Sequence, residues 1–144
     1  ALFIFTKSII ENKEINIFNQ GRMTRDFTYI DDLVKCVMRI IKKPPKANKF
    51  FDKNSPDPSQ SWAPYRIFNI GNSQPVNLME YIEELEKNIG KKAIKKFLPM
   101  QPGDVEATAS DVSLLEEYIG FSPDTSIKKG ISEFVKWYKG YYKN

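Results

Sequence analysis

Arg25-Asp26-Phe27-Thr28-Tyr29-Ile30-Asp31-Asp32 concentrates more potential chemistry than any other stretch of this 144-residue chain. A fixed cation comes first, then a short β-prone run from Phe27 to Ile30, then two carboxylates. An apolar helical pattern follows at once, with Leu33, Val34, Val37, Met38, Ile40 and Ile41. A guanidinium meets phosphate oxygens through paired N–H donors, so Arg25 just before a strand-to-helix passage is suited to an anion. The plainer reading is a surface arginine beside an ordinary strand and cap, and these eight residues alone do not separate the two. Asp31 and Asp32 read as helix caps rather than metal ligands, because nothing else along the chain completes a ligand set.

Other chemistries are missing from the sequence. There is no histidine, and so no ordinary general base near neutral pH. The seven glycines are too widely spaced to form the Gly-rich turn that seats a dinucleotide pyrophosphate at a helix N-terminus. The single cysteine, Cys36, lies among Val37 and Ile40 and reads as a small buried hydrophobe. One cysteine allows no internal disulfide, which fits a reducing compartment.

The elements that must position these groups read as mixed α/β. Leu2, Phe3, Phe5, Ile9 and Ile10 give a helical face over 2–12. Ile15-Asn16-Ile17-Phe18 alternates as a strand, closed by a turn at Asn19-Gln20-Gly21. A strand at 27–30 is expected to feed a helix over 32–43, which Pro44-Pro45 stops. Residues 46–64 then read as a long loop, either a functional cover or disordered. A short strand is expected from Arg66 to Ile70, where a half-buried arginine calls for a carboxylate partner.

Asn77 with Glu80 forms a capping-box pattern ahead of a helix ended by Gly90. Ala93–Leu98 reads as a strand and 99–108 as a loop. A short helix starts at Asp111 and stops at Gly120, and a last helix is capped by Ser126 or Thr125. Trp62, Trp137, Tyr141 and Tyr142 read as packing and a frayed amphipathic end rather than a stacking surface.

With 41% hydrophobic and 28% charged residues, the chain suffices for one core of ordinary domain size. The formal charge is +4, but the lysine pairs at 42–43, 91–92, 95–96 and 128–129 sit at helix ends or turns, interleaved with Glu80, Glu83, Glu84 and Glu86. That pattern is a solvated surface, and no nucleic-acid partner is expected. No apolar run approaches membrane-spanning length and no signal pattern opens the chain, so no membrane partner is expected either and the cytoplasm is the expected location.

Taken in order, these landmarks resemble one family. Ala1-Leu2-Phe3 with Phe5-Thr6-Lys7 precedes the Arg25–Asp32 octapeptide. Ala63-Pro64-Tyr65-Arg66 leads into Asn69-Ile70-Gly71-Asn72. Leu98-Pro99-Met100-Gln101-Pro102-Gly103-Asp104-Val105 leads into Ala109-Ser110-Asp111. Gly120-Phe121-Ser122-Pro123 and Phe134-Val135-Lys136-Trp137-Tyr138 close the set. Across essentially all 144 residues the chain is similar to the C-terminal, substrate-binding lobe of the extended short-chain dehydrogenase/reductases. Within that family of NAD-dependent nucleotide-sugar epimerases and dehydratases it most resembles the bacterial UDP-glucuronate 4-epimerases.

The resemblance implies a small mixed α/β substrate lobe over 1–144, without its Rossmann NAD domain and beginning inside the lobe's first helix. It implies a UDP-sugar ligand, NAD bound by the missing N-terminal domain and not by this chain, and a homodimeric parent. The family's catalytic Tyr-x-x-x-Lys pair is absent, since no tyrosine has a lysine four positions later. No catalytic residue is therefore expected here, and the chain alone should be catalytically silent.

By the same resemblance Arg25 meets the pyrophosphate, and the backbone of Ile17 and Phe18 reads the uracil edge while their side chains cover its face. Gln101, where many relatives carry an arginine, offers an amide hydrogen bond at most. Gly103 allows a close backbone approach, and Asp104 is placed for the ribose hydroxyls. Plain strand core at 17–18 and a common Pro-Gly turn at 102–104 are the alternatives. Three functions stay open: a UDP-glucuronate epimerase lobe for capsule or surface polysaccharide synthesis, a related 4,6-dehydratase or decarboxylase, and a non-catalytic nucleotide-sugar module.

Overall fold

In the computed structural model, residues 1–143 are described, and they group into two compact units. The first gathers residues 1–27, 74–109 and 125–144; the second gathers 28–73 and 110–124. The elements in chain order are α1 (Leu2–Ile10), β1 (Glu14–Ile17), β2 (Thr24–Arg25), α2 (Ile30–Lys42), β3 (Val76–Asn77), α3 (Leu78–Ile89), β4 (Ile94–Phe97), α4 (Ser113–Ile119) and α5 (Ile127–Tyr142). The chain is a small mixed α/β structure, as its patterning predicts.

In the first unit, β1 alternates exposed and buried side chains, sending Ile15 and Ile17 inward. It pairs in parallel with β4, from Glu14 opposite Ile94 to Ile17 opposite Phe97. Against this pair pack α1, α3 and α5 through Ile9, Tyr81, Ile82, Leu85, Ile131 and Val135. Asn77 caps α3 by accepting the Met79 N–H at 2.8 Å, and Gly90 ends it with φ +85°. Ser126 Oγ accepts the Lys129 N–H at 3.4 Å to start α5.

Glu86 is buried in this core, at 3% exposure, and it is satisfied from three sides. Lys92 Nζ lies 2.8 Å from one carboxylate oxygen, while Lys95 Nζ and the Ala93 N–H (3.0 Å) reach the other. Burial alone would raise its pKa; the bonds from Lys92, Lys95 and Ala93 outweigh burial and hold it at about 2. The carboxylate thus ties the turn after α3 to the start of β4.

In the second unit, α2 turns Asp32 and Cys36 inward. Burial pushes the Cys36 thiol up, with the Asp32 charge adding to it. Arg39 donates from α2 to the carbonyls of Ile119 and Gly120 at 3.2 and 3.0 Å and lies over the Phe121 ring. Lys43 and Tyr118 exchange side-chain bonds with each other's carbonyls. Ser73 Oγ donates to the Ser110 carbonyl at 2.7 Å, and Asn69 Nδ2 to that of Asp111 at 3.3 Å. These bonds align segment 69–73 with 110–111.

Several expectations need correction. Residues 27–30 form no strand; pairing is confined to Thr24–Arg25, one turn earlier, because the partner segments lie there. Phe18 leaves the strand for a short 3-10 turn in which Asn19 and Gln20 adopt left-handed φ values. Gly21 follows at φ +79°, with Met79 so close that an added Cβ would meet its sulfur at 2.8 Å.

Helix α2 starts two residues early, at Ile30 with Tyr29 as N-cap. Asp31 and Asp32 therefore sit inside the first turn and are not caps; Asp32 is buried and 3.1 Å from Lys35. Residues 66–70 are not a strand: only an isolated bridge joins Arg66 to Gln60. Arg66 donates to Gln60 Oε1 at 3.2 Å and lies by Phe68, where a carboxylate partner is expected from the sequence.

Candidate functional site

The site grows from β2. Thr24 is opposite Asn77 in an antiparallel pair with β3, and on its other edge it bridges in parallel to Ala107. The Thr24 N–H donates to the Glu106 carbonyl at 2.8 Å, and the Thr108 N–H to the Thr24 carbonyl at 3.1 Å. A two-residue strand is thus held between two segments far away in sequence, and the loop 99–108 is drawn alongside Arg25.

The Arg25 guanidinium clasps that loop. Nη1 donates to the carbonyls of Thr24 (2.9 Å) and Glu106 (3.1 Å). Nη2 donates to Asp104 Oδ1 (2.8 Å) and to the Val105 carbonyl (2.7 Å). Four of the five guanidinium N–H donors are thereby engaged, and Nε–H is the fifth. Asp104 Oδ1 also accepts the Val105 N–H at 2.8 Å. Gly103 turns the loop with φ +82°, the left-handed conformation that its lack of a Cβ permits.

Beside this clasp is a cavity of about 360 Å³, lined by Asn16, Phe18, Arg25, Asp26, Phe27 and Asp104, with Phe5 and Leu78 on its apolar side. Phe27 stacks on Tyr81 of the core, rings 4.5 Å apart at 11°, so one aromatic wall is anchored to buried structure. Asp26 is tied in place through its backbone N–H, 3.4 Å from Thr108 Oγ1. The volume falls in the range of small-molecule pockets. It presents aromatic faces, one amide, one cation and two carboxylates, groups able to cover a planar ring, hydrogen-bond its edge or hydroxyls, and neutralise an anion.

Of the residues expected at a site, Arg25, Phe18 and Asp104 meet at this cavity. The structure separates the other two. Ile17 is fully buried in the core, and its carbonyl accepts the Leu98 N–H at 2.8 Å, extending the sheet. That carbonyl is committed to Leu98, and Ile17 is not among the residues lining the cavity. Gln101 is exposed on the loop, outside the cavity lining, and its carbonyl accepts the Asp104 N–H at 3.2 Å. Asp104 is expected to be open to hydroxyls; in the structure it is paired with Arg25.

Asn16, Asp26 and Phe27 also line the cavity, although the sequence gives none of them a site role. Asn16 was findable: between inward Ile15 and Ile17, strand alternation turns it to the opposite face. Asp26 and Phe27 carried no such signal, since their placement depends on pairing at Thr24–Arg25.

A NAD site does not fit these residues. The left-handed glycines Gly21, Gly90, Gly103 and Gly120 each serve a separate turn or helix end, and no two of them share a phosphate-binding loop.

Comparison with known proteins adds three findings. A model of the family described as GDP-mannose 4,6 dehydratase matches residues 4–134. Among curated proteins, the chain is 48% identical over 143 residues to protein CapI of Staphylococcus aureus, covering 99% of this chain and 43% of that protein. It is 43% identical over 144 residues to a probable UDP-glucuronate 4-epimerase of Rhizobium meliloti, covering 99% and 42%. Among solved structures, it is similar to the UDP-glucuronic acid 4-epimerase of Bacillus cereus in complex with UDP-glucuronic acid and NAD. That likeness has a TM-score of 0.73 at 28% identity, over 96% of this chain and 40% of that one. The chain therefore spans well under half the length of the curated relatives it matches.

Proposed function

This chain belongs to the extended short-chain dehydrogenase/reductase family of nucleotide-sugar epimerases and dehydratases, and on that premise we propose that residues 1–144 form the substrate-binding lobe of a UDP-glucuronate 4-epimerase. The observation that carries this reading is the cavity in which the Arg25 guanidinium, paired with Asp104, stands beside Phe18 and the anchored ring of Phe27.

A UDP-sugar needs a cation for its pyrophosphate, a polar edge and flat cover for uracil, and acceptors for its ribose diol. Arg25 supplies the first, Asn16 with Phe18 and Phe27 the second, and Asp104 the third. The pair Arg25–Asp104 gives binding a physical course. A pyrophosphate carries more charge than one carboxylate and takes over Nη2, while Asp104, released, turns to the ribose hydroxyls. Gln101 stays in this proposal only as a second-rank amide contact, and Ile17 as the packing beneath the site.

No proton or hydride transfer is assigned to this chain. NAD belongs, in this reading, to the remainder of the parent, an N-terminal domain that the longer relatives have room for. Helix α2 supports that arrangement: Ile30, Val34, Val37, Met38 and Ile41 expose an apolar stripe at helical spacing, of the kind a partner domain covers. A homodimeric, cytoplasmic parent working in cell-surface polysaccharide synthesis completes the proposal. A 4,6-dehydratase would use the same nucleotide lobe; the relatives described as UDP-glucuronate 4-epimerases favour epimerisation.

Calorimetric titration of the chain with UDP-glucuronate, UDP and NAD tests it. Binding of UDP and UDP-glucuronate but not NAD, lost in Arg25→Ala, is the expected result. Binding unaffected by Arg25→Ala, or binding of NAD alone, would overturn it.

A further inference from the structure

One face of the first unit is left unexplained by a nucleotide-sugar site. Helix α5 buries Ile131, Val135 and Tyr138, but Trp137 (47% exposed), Tyr141 (67%) and Tyr142 (49%) stand out of the surface beside Phe3 and Ile4 (68%) of α1. These side chains form one continuous patch. Phe3 lies edge-on to Trp137 at 5.8 Å, Trp137 stacks on Tyr141 at 5.3 Å, and Tyr142 contacts both Trp137 and Tyr141. The sequence reads Trp137, Tyr141 and Tyr142 as packing and a frayed end, and in the structure all three are exposed.

The charge around the patch is asymmetric. Lys136 and Lys143 are exposed around it, and Lys7 is shared with Glu11. Of the nearby acids, Glu11 is already matched by Lys13 at 2.7 Å and Lys7 at 4.0 Å, which leaves Glu133. Tryptophan and tyrosine, apolar in body and polar at one tip, are the side chains that favour the headgroup level of a bilayer, and lysines beside them favour anionic lipid.

We propose that this α1–α5 face docks the protein peripherally on an anionic lipid bilayer, with Trp137, Tyr141 and Tyr142 seated among the headgroups and the lysines meeting their charge. Among the described residues no helix is long and apolar enough to cross a membrane, and that bears on spanning only. Surface docking makes the opposite statement to the sequence expectation of no membrane partner, and it stands independently of the nucleotide-sugar reading.

The test uses Trp62→Phe, which leaves Trp137 as the sole tryptophan reporter. With vesicles of phosphatidylglycerol and phosphatidylcholine, the protein is expected to co-sediment and Trp137 emission to move to shorter wavelength. Pure phosphatidylcholine should give neither. In the same background Tyr141→Ala should weaken sedimentation, and Lys136→Gln should weaken it about fivefold, the effect of one surface lysine on an anionic membrane. All these side chains are exposed, so melting midpoints should not move and loss of binding will not reflect unfolding. Absence of co-sedimentation at low salt overturns the proposal, as does sedimentation indifferent to Tyr141→Ala and Lys136→Gln. Concentration-dependent self-association through Trp137 and Tyr141 without vesicle binding would assign the face to a second copy of the chain instead.

Discussion

Arg25 Nη2 and Asp104 Oδ1 lie 2.8 Å apart across 79 residues of sequence, and this pair closes the loop 99–108 against β2. Both side chains are partly exposed, so the pair matters less for stability than for which acceptor the guanidinium holds. The cation is neutralised in place, and the loop's carbonyls restrain the guanidinium.

Replacing Arg25 should therefore act on binding rather than folding. Arg25→Ala is expected to weaken UDP affinity by about 10- to 100-fold, the range of one or two charge-assisted hydrogen bonds. Arg25→Lys should recover little, because an ammonium cannot span Asp104, Val105 and Glu106 together. Calorimetry on both variants, with a melting curve as control, checks this.

Asp104→Asn separates the two roles of that carboxylate. With its charge gone, Arg25 no longer has an anionic competitor for phosphate, so affinity for inorganic pyrophosphate should rise. Affinity for UDP should rise less, because the amide is a poorer acceptor for ribose hydroxyls. An equal change for both ligands would show that Asp104 touches only Arg25.

Glu86 sets a pH dependence. Its folded pKa of about 2 lies below the ordinary value of 4.5, so its ion pairs contribute stability that is complete above pH 4.5 and is lost as pH falls toward 2. Chemical unfolding at a series of pH values should show a decline in that window worth on the order of 2 kcal/mol. Glu86→Gln should be destabilised at pH 7 and should have a flatter profile through the same window.

Cys36, buried in α2 with its thiol pKa raised by that burial, should resist alkylation at pH 8 in the native protein and react at once in denaturant. Fast native labelling, followed by mass spectrometry, would show that the second unit opens readily.

The stripe on α2 offers a further check. If the remainder of a longer parent covers it, the isolated chain should self-associate, and Val34→Lys with Met38→Lys should restore a monomer in sedimentation velocity. Both side chains are exposed, so the fold should survive the change.

The sequence by itself determined the helices and most of their ends. Asn77 and Gly90 bracket α3, Ser126 opens α5 and Gly120 closes α4, because capping and left-handed glycine are satisfied within a few residues. It also determined the family, through ordered motifs, and three of the residues it singled out, Arg25, Phe18 and Asp104, line one cavity. Only the tertiary structure decided where the short strands lie. A two-residue strand such as Thr24–Arg25 has no periodicity to read and exists because Val76–Asn77 and Ala107 come to its edges.

For the same reason no local pattern could show that Arg25 already holds Asp104, that the Ile17 carbonyl is spent on Leu98, or that Gln101 stays outside the cavity. The first two depend on a partner about 80 residues away, and the third on where the loop 99–108 lies against β2. Glu86 reads as one more surface acid in an interleaved series, and becomes buried only because Lys92 and Lys95 fold back to neutralise it. Short-range hydrogen bonding and hydrophobic spacing are written along the chain; charge pairing and strand edges are settled only when distant segments meet.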